Sequence, residues 1–93
     1  MPNYFALCKK GTTERVPFSQ IDDEICAALG FIVDADKYAY HWYDIIGLRL
    51  AMGQNFDQII EAVSDEQFPE LGNIARWLKE NYTSDAWAMI GRR

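Results

Sequence analysis

Alternating apolar and polar residues mark the first two predicted elements. Residues 3–8 and 13–18 form two short runs around a turn that contains Gly11, which is the pattern of a β-hairpin with a loop of a few residues. Pro17 has no N–H to donate to a strand ladder, so we expect the second strand to end near Val16. A lone hairpin is marginal in water, and this one should therefore pack on the helices that follow.

The next segment has helical periodicity. Its apolar residues share the i, i+4, i+7 and i+8 spacing of one buried helix face, and they are Ile21, Ile25, Ala28 and Leu29. Ser19 is placed to cap the helix, which should begin near Gln20 and end at Gly30. Cys26 lies at the edge of the stripe. The three acids at positions 22–24 are predicted to point away from the stripe and to form an acidic helix end.

A second helix is predicted over residues 37–52, with Asp34 and Asp36 as caps. It is apolar almost all round, through Trp42, Ile45, Ile46, Leu48, Leu50 and Met52. A helix of this kind is normally buried, so we expect it to be the central helix that the others cover. Gly53 should end it as a C-terminal glycine.

Capping signals define two more helices. Asn55 and Gln58 have the spacing of a capping box, which predicts the start of a third helix. Pro69 suits a first helical position and predicts a fourth helix that ends near Tyr82. A polar break follows, and residues 86–90 fit either a short helix or a closing strand because five residues show no decisive periodicity.

These elements predict an α+β fold, with an N-terminal β-hairpin packed on a bundle of four to five short helices. The chain has 93 residues, of which 49% are hydrophobic and 25% charged, and it fits one packed domain over residues 1–93. No stretch has the roughly 20 apolar residues of a membrane helix, and no secretory signal is recognisable, so we expect a cytoplasmic protein. In that compartment Cys8 and Cys26 should be buried free thiols.

Charge is unevenly distributed along the chain. Fourteen acidic and nine basic residues give a net charge of −5, and thirteen of the acids but only four of the bases lie between Val16 and Gly91. Such a surface repels nucleic-acid phosphates and complements a basic protein. The acids expected at helix ends and on polar faces are candidate protein contacts, and they are Asp22, Asp23, Glu24, Glu61, Asp65 and Glu66.

Four aromatic residues crowd into positions 38–43. Successive helical residues are about 100° apart, so these rings cannot all face the core. Tyrosine and tryptophan dominate the energetics of protein interfaces, and Tyr38, Tyr40 and Tyr43 are therefore candidate contact residues. The alternative is that the hairpin and the last segment cover them.

Candidate sites for catalysis or metal binding are weak. The acids at positions 34–36 resemble the start of a calcium loop, but Ala39 and Ile45 occupy the positions that need Gly and Glu. His41 and Asp44 share one helix face, yet no second ligand cluster or nucleophile accompanies them. We therefore predict no catalytic, metal-binding or cofactor-binding residue, no cofactor, and a protein that is not an enzyme.

Gly53 lies in a short turn between the second and third helices, which is the format of a DNA-binding helix-turn-helix. The third helix would present Asp57, Gln58, Glu61 and Asp65 to the DNA, with no lysine or arginine to neutralise phosphates. A DNA-binding regulator is therefore the first alternative function. The second is a structural or self-assembling component.

Several turn, cap and core residues, in their order along the chain, resemble small uncharacterised proteins of tailed phages and prophages. The resemblance is carried by Lys10-Gly-Thr, Arg15-Val-Pro-Phe18, Ile21-Asp22, Ile25-Cys26, Leu29-Gly30, Trp42-Tyr-Asp44 and Ile46-Gly47. It brings no catalytic residue with it and implies an accessory protein that acts inside a host cell.

The expected function is a small acidic protein-binding module that acts on a host component. One form of this function is inhibition of a nucleic-acid-binding protein, with carboxylates placed where phosphates would lie. The partner is expected to be a basic protein rather than nucleic acid or a membrane, and self-association stays open.

Overall fold

The computed structural model describes residues 4–30, 42–63 and 68–87. In chain order its elements are strand β1 (Tyr4–Lys9), strand β2 (Arg15–Val16), helix α1 (Phe18–Leu29), a π-helical turn (Tyr43–Gly47) that continues into helix α2 (Leu48–Ala51), helix α3 (Phe56–Val63), helix α4 (Pro69–Asn81) and strand β3 (Tyr82–Trp87). The fold is α+β, as the sequence predicts.

The strands form an antiparallel sheet in the order β2-β1-β3. β1 is central and pairs with β2 at Leu7↔Val16 and Cys8↔Arg15. The predicted hairpin is confirmed, and its second strand ends at Val16, immediately before Pro17. The turn is closed by Thr12, whose backbone N–H and hydroxyl both donate to the Lys9 carbonyl, at 3.0 and 2.8 Å.

The third strand replaces the predicted polar break. Residues 83–85 lie within β3, which pairs with β1 along its whole length, from Tyr4↔Trp87 to Lys9↔Tyr82. Tyr82 leaves α4 in an extended conformation, and so α4 ends one residue before the predicted position. Of the two readings of residues 86–90, the strand holds for Ala86 and Trp87, and the rest of that segment lies outside the described residues.

Helix α1 begins two residues earlier than predicted. The N–H groups of Gln20 and Ile21 donate to the Pro17 carbonyl, so Pro17 is the N-cap and Ser19 lies inside the helix without a capping bond. Ile21 and Ile25 are buried as predicted, but Ala28 is exposed. Gly30 follows the helix with φ +63°, which suits glycine and confirms the predicted end.

The two cysteines differ in exposure. Both are free thiols, and Cys8 on the central strand is buried as predicted. Cys26 is exposed, so the expectation of a second buried thiol is wrong. The reason is geometric, since Cys26 lies about 100° round the helix from Ile25, beyond the width of the buried stripe.

We expect the two thiols to react at different rates in the native protein. A thiol reagent should modify Cys26 as fast as an ordinary surface thiol. It should modify Cys8 only after unfolding, because burial denies the reagent access. Mass spectrometry of samples labelled before and after denaturation measures this order, with Cys26→Ser as the control that removes the fast phase. Equal native rates for both thiols would contradict the described packing.

The second helix is described from Trp42 onward, and the predicted portion with Asp34, Asp36 and residues 37–41 lies outside the described residues. Trp42, Ile46 and Leu50 are buried. The expectation that other elements cover this helix all round is wrong, because Leu48 and Met52 are exposed on its other side. Gly53 ends the segment with φ +91°, as predicted.

Helices α3 and α4 form a closely packed pair. The capping box is confirmed by two reciprocal hydrogen bonds, from the Asn55 N–H to Gln58 Oε1 at 3.0 Å and from the Gln58 N–H to Asn55 Oδ1 at 2.8 Å. Pro69 lies in the first turn of α4, as predicted. The α2 helix packs on β1 and β3, and α4 closes on β3.

One hydrophobic core lies between the sheet and the helices. Every described strand and helix and the π-helical turn contribute to it, and its fully buried side chains include Leu7, Ile21, Ile25, Ile46, Leu50, Ile59, Ile74, Leu78 and Tyr82. The described elements that carry candidate contact residues are α1, the π-helical turn and α3, and all three are held on this common core through their inner faces.

Candidate functional site

Three aromatic rings join the start of α1 to the π-helical turn. Phe18, the first residue of α1, stacks on Tyr43 with ring centroids 5.7 Å apart and an interplanar angle of 20°. Trp42 meets both rings edge-on, at 6.0 Å from Phe18 and 5.9 Å from Tyr43. Trp42 is buried while Phe18 and Tyr43 are half-buried, so part of each of those two rings reaches the surface.

A carboxylate is hydrogen-bonded to this aromatic cluster. The indole Nε1–H of Trp42 donates to Asp22 Oδ1, and Asp22 lies one helical turn after Phe18. Two exposed acids, Asp23 and Asp44, follow Asp22 and Tyr43 directly in the chain. We call these five residues, Phe18, Asp22, Asp23, Tyr43 and Asp44, the acidic–aromatic surface.

The structure therefore brings together two sets of candidates that are about 20 residues apart in sequence. Asp22 and Tyr43 both contact Trp42. Charged residues on α1 and on the π-helical turn are all acidic, so this surface offers carboxylates beside partly exposed rings. That combination suits a cationic group, which is attracted both by carboxylates and by aromatic faces.

Glu24 has a different role from the one predicted. It accepts a hydrogen bond from the Tyr82 hydroxyl through Oε1 and forms an ion pair with Lys9 Nζ at 3.1 Å through Oε2. Gln20 Nε2 donates to the same Oε2 at 3.4 Å. Lys9 and Tyr82 are register partners on β1 and β3, so Glu24 ties α1 to the sheet. We call Lys9, Glu24 and Tyr82 the clamp.

The contacts within the clamp shift the pKa values of Glu24 and Tyr82. The hydrogen bond from Tyr82 lowers the pKa of Glu24 below its ordinary value of 4.5, and Lys9 and Gln20 act in the same direction against the effect of burial. Burial raises the pKa of the Tyr82 hydroxyl, and the negative charge of Glu24 raises it further. Glu24 is thus a carboxylate, and Tyr82 a neutral hydroxyl, over the whole neutral range.

The prediction that all three acids at positions 22–24 point away from the packed face is wrong for two of them. With about 100° between successive residues, Asp22 and Glu24 lie roughly 80° to either side of the Ile21–Ile25 stripe, and Asp23 lies opposite it. Residues that flank a buried stripe reach neighbouring elements. Asp22 reaches Trp42 and Glu24 reaches Tyr82, while Asp23 remains exposed.

The remaining candidates are scattered or lie outside the described residues. Glu61 is exposed on α3, away from the acidic–aromatic surface in the chain. Tyr38, Tyr40, Asp65 and Glu66 lie outside the described residues, and so does His41. The shared helix face of His41 and Asp44 therefore stays a prediction.

Helix α3 would be the reading helix of a helix-turn-helix, and its outward positions carry acids. Asp57 and Glu61 are both exposed. Lys79 of α4 forms an ion pair with Asp57. Such a surface lacks the lysines and arginines that neutralise DNA phosphates.

Within residues 4–30, 42–63 and 68–87, no three histidine, cysteine or acidic side chains come together as metal ligands. None of the helices described there has the length and apolar character to cross a membrane.

Sequence reasoning missed Phe18 and the clamp. The sequence pattern places Phe18 between the expected end of the second strand near Val16 and the expected start of the helix near Gln20, although Pro17, with its fixed φ, is also a good residue to precede a helix. The i, i+4 spacing of Phe18 and Asp22 is a local pattern that would place both residues on the same side of a helix. The sequence pattern places Tyr82 at the end of the fourth helix, and its partnership with Glu24 spans 58 positions in sequence, which no local pattern indicates.

A comparison of the chain with known protein families, with curated proteins and with solved structures gives no match.

Proposed function

We propose that this protein is a small acidic binding module whose acidic–aromatic surface docks a basic protein. The observation that carries the proposal is the contact of Asp22 with Trp42 inside the Phe18–Trp42–Tyr43 cluster. This contact holds a carboxylate beside two half-buried rings, and the exposed Asp23 and Asp44 follow Asp22 and Tyr43 in the chain. The module binds without catalysing a reaction and works in the cytoplasm.

Charge and aromatic character have separate roles in this proposal. Exposed carboxylates attract a basic partner over distance and raise the rate of encounter. Partly exposed rings supply apolar contact area at low cost in conformational entropy, which is how tyrosines contribute to interface affinity. A net charge of −5 favours such a partner over nucleic acid.

The resemblance to small proteins of tailed phages and prophages supports a host protein as the partner. A host protein that binds nucleic acid offers the required basic surface. Carboxylates on the module would then occupy the places of phosphates, and the host protein would be inhibited. The fold by itself carries no function, so this part of the proposal depends on the resemblance.

Capture from a bacterial lysate, followed by affinity measurement with the captured protein, tests the proposal. We expect the double variant Asp23→Lys/Asp44→Lys to weaken binding by roughly tenfold or more, because it reverses charge at the contact. The matched control is Glu70→Lys/Glu80→Lys, which makes the same change in net charge at exposed positions on α4. It should weaken binding by less than about threefold.

The outcomes separate the proposal from its alternatives. Equal losses for the two double variants would show that net charge alone drives binding, and no loss in either would remove this surface from the contact. Tight binding of duplex DNA at moderate salt would favour the DNA-binding regulator. Large assemblies of the purified protein would favour the structural component.

A further inference from the structure

Helix α1 supplies three of the five residues of the acidic–aromatic surface. Phe18, Asp22 and Asp23 belong to this helix, whereas Tyr43 and Asp44 come from the π-helical turn. The relative position of the two halves of the surface therefore depends on how α1 lies against the rest of the protein. A contact that fixes α1 also fixes the geometry of the surface.

The apolar packing of α1 opposes some motions of the helix more than others. Its buried residues are Ile21 and Ile25, which form one stripe, and Phe18 and Leu29 are partly buried against the same core. A single apolar stripe resists separation of the helix from the core. It resists rolling of the helix about its own axis less, because apolar contact is not directional. Side chains on the two flanks of the stripe must oppose the roll.

Each flank of α1 has such a side chain. On one flank, Asp22 accepts a hydrogen bond from the indole N–H of Trp42. On the other flank, Glu24 accepts a hydrogen bond from the Tyr82 hydroxyl and pairs with Lys9 Nζ at 3.1 Å. Asp22 and Glu24 are about 200° apart around the helix axis, so they hold the helix from nearly opposite sides. A roll that breaks the Glu24 contacts therefore changes the contact of Asp22 with Trp42 as well.

We infer that the clamp positions the acidic–aromatic surface for its partner, with Glu24 and Tyr82 as positioning residues. Tyr82 is 1% exposed, so it acts on binding through α1 and not by touching a partner. Hydrogen bonds have a preferred direction, which apolar contacts lack, and the clamp thereby keeps Asp22 on Trp42. The inference rests on the proposed function and adds the residues that hold the surface in its binding geometry.

The indole N–H resonance of Trp42 tests the inference in the protein alone. Heteronuclear NMR detects the indole N–H groups of all three tryptophans, and Trp42→Phe identifies the signal of Trp42 by its loss. Asp22→Asn gives the position of this signal when the carboxylate is absent. We expect Tyr82→Phe to move the Trp42 signal from its wild-type position toward that of Asp22→Asn, because α1 rolls when the hydroxyl that holds Glu24 is removed.

Further variants separate positioning from a general loss of stability. Val63→Ala removes part of a buried side chain on α3 and should lower stability without moving the Trp42 signal. Glu24→Gln keeps an acceptor for the Tyr82 hydroxyl, whereas Glu24→Ala removes it. The signal should therefore move less in Glu24→Gln than in Glu24→Ala. Thermal unfolding verifies that each variant is folded at the temperature of the NMR measurement.

Binding kinetics with the captured partner test the consequence for recognition. Tyr82→Phe leaves the charge of the protein unchanged, so its association rate should stay within about twofold of the wild-type rate, since steering depends on charge. Its dissociation rate should rise by roughly threefold or more, because changes at an interface act mainly on dissociation. Asp23→Lys/Asp44→Lys should instead slow association.

The outcomes distinguish a failure of this inference from a failure of the proposed function. A Trp42 signal that keeps its wild-type position in Tyr82→Phe, or that moves as far in Val63→Ala, would overturn the inference whatever the partner does. An unchanged dissociation rate in Tyr82→Phe would also overturn it, and the proposed function would stand if Asp23→Lys/Asp44→Lys still loses binding. If that charge variant binds as the wild type does, the proposed function fails, and the claim that the clamp serves binding fails with it.

Discussion

Replacing Ile46 with alanine should lower the free energy of unfolding by about 2–5 kcal/mol, the range for emptying a buried aliphatic site. Ile46 is 0% exposed and belongs to the central core cluster. It lies in the π-helical turn, whose inner side meets the sheet-facing core. Urea unfolding followed by circular dichroism measures the change, with an unchanged m-value showing that the unfolded state is the same.

The matched control for this variant is Leu48→Ala. Leu48 lies two residues further along the same helical segment and loses a similar volume, but it is 55% exposed. We expect its cost to stay below about 1 kcal/mol, since surface substitutions rarely exceed that. Equal losses at Ile46 and Leu48, or a loss at Ile46 under about 0.5 kcal/mol, would place the inner face of this helix elsewhere.

The second large effect is expected at the clamp. Tyr82→Phe removes the hydroxyl that donates to Glu24 and should cost about 1.5–3 kcal/mol, the range for a hydrogen bond to a charged group. Tyr82 is 1% exposed, so the ring itself keeps its packing in this variant. The measurement is again urea unfolding at neutral pH. A loss near zero would show that the hydroxyl contributes nothing to holding α1 on the sheet.

The clamp also predicts how stability depends on pH. Folding lowers the pKa of Glu24 below its ordinary 4.5, so the unfolded state binds more protons in that range and stability falls as the pH drops from 4.5 through the lowered value. Folding raises the pKa of Tyr82 above its ordinary 10.0, so this contribution is present below pH 10 and is lost as the pH rises further.

Two variants isolate the acidic limb of this profile. Glu24→Gln should flatten the fall in stability below pH 4.5, because the residue no longer titrates. Asp23→Asn is the control for the removal of one negative charge, since Asp23 is the neighbouring acid and is exposed. Identical profiles for Glu24→Gln and the wild type would mean that Glu24 does not couple folding to protons.

Local signals in the sequence predict the boundaries of several elements. The capping box of Asn55 and Gln58 acts within one helical turn, so its two hydrogen bonds follow directly from the spacing. Pro17 ends β2 because of its missing N–H, and Gly53 ends the second helix because glycine readily takes a positive φ. Each of these residues determines its own backbone without help from distant parts of the chain.

Local sequence signals do not predict the third strand. Thr83 and Ser84 are exposed and polar, so the sequence has no apolar alternation there. The segment is a strand because β1 offers it a complete ladder of partners, from Lys9 to Tyr4. Pairing over more than 70 positions in sequence depends on tertiary structure, which overrides weak local preference.

Only part of the acidic–aromatic surface could be predicted from the sequence, because its other contacts depend on tertiary structure. Periodicity separates Asp23 from the buried stripe, and its exposure is as expected. Periodicity does not show which element lies beside Asp22 and Glu24. Trp42 and Tyr82 meet those carboxylates only when the chain has folded, so one acid becomes part of the acidic–aromatic surface and the other part of the clamp.

The dependence of the association rate on ionic strength tests the acidic–aromatic surface most directly. With the captured partner, the rate constant of the wild type should fall steeply as salt increases, because salt screens the attraction that steers encounter. Asp23→Lys/Asp44→Lys should associate more slowly at low salt and show a flatter dependence, while Glu70→Lys/Glu80→Lys stays closer to the wild type. A wild-type rate that does not change with salt, together with equal rates for both double variants, would contradict the proposal that this surface recognises a basic protein.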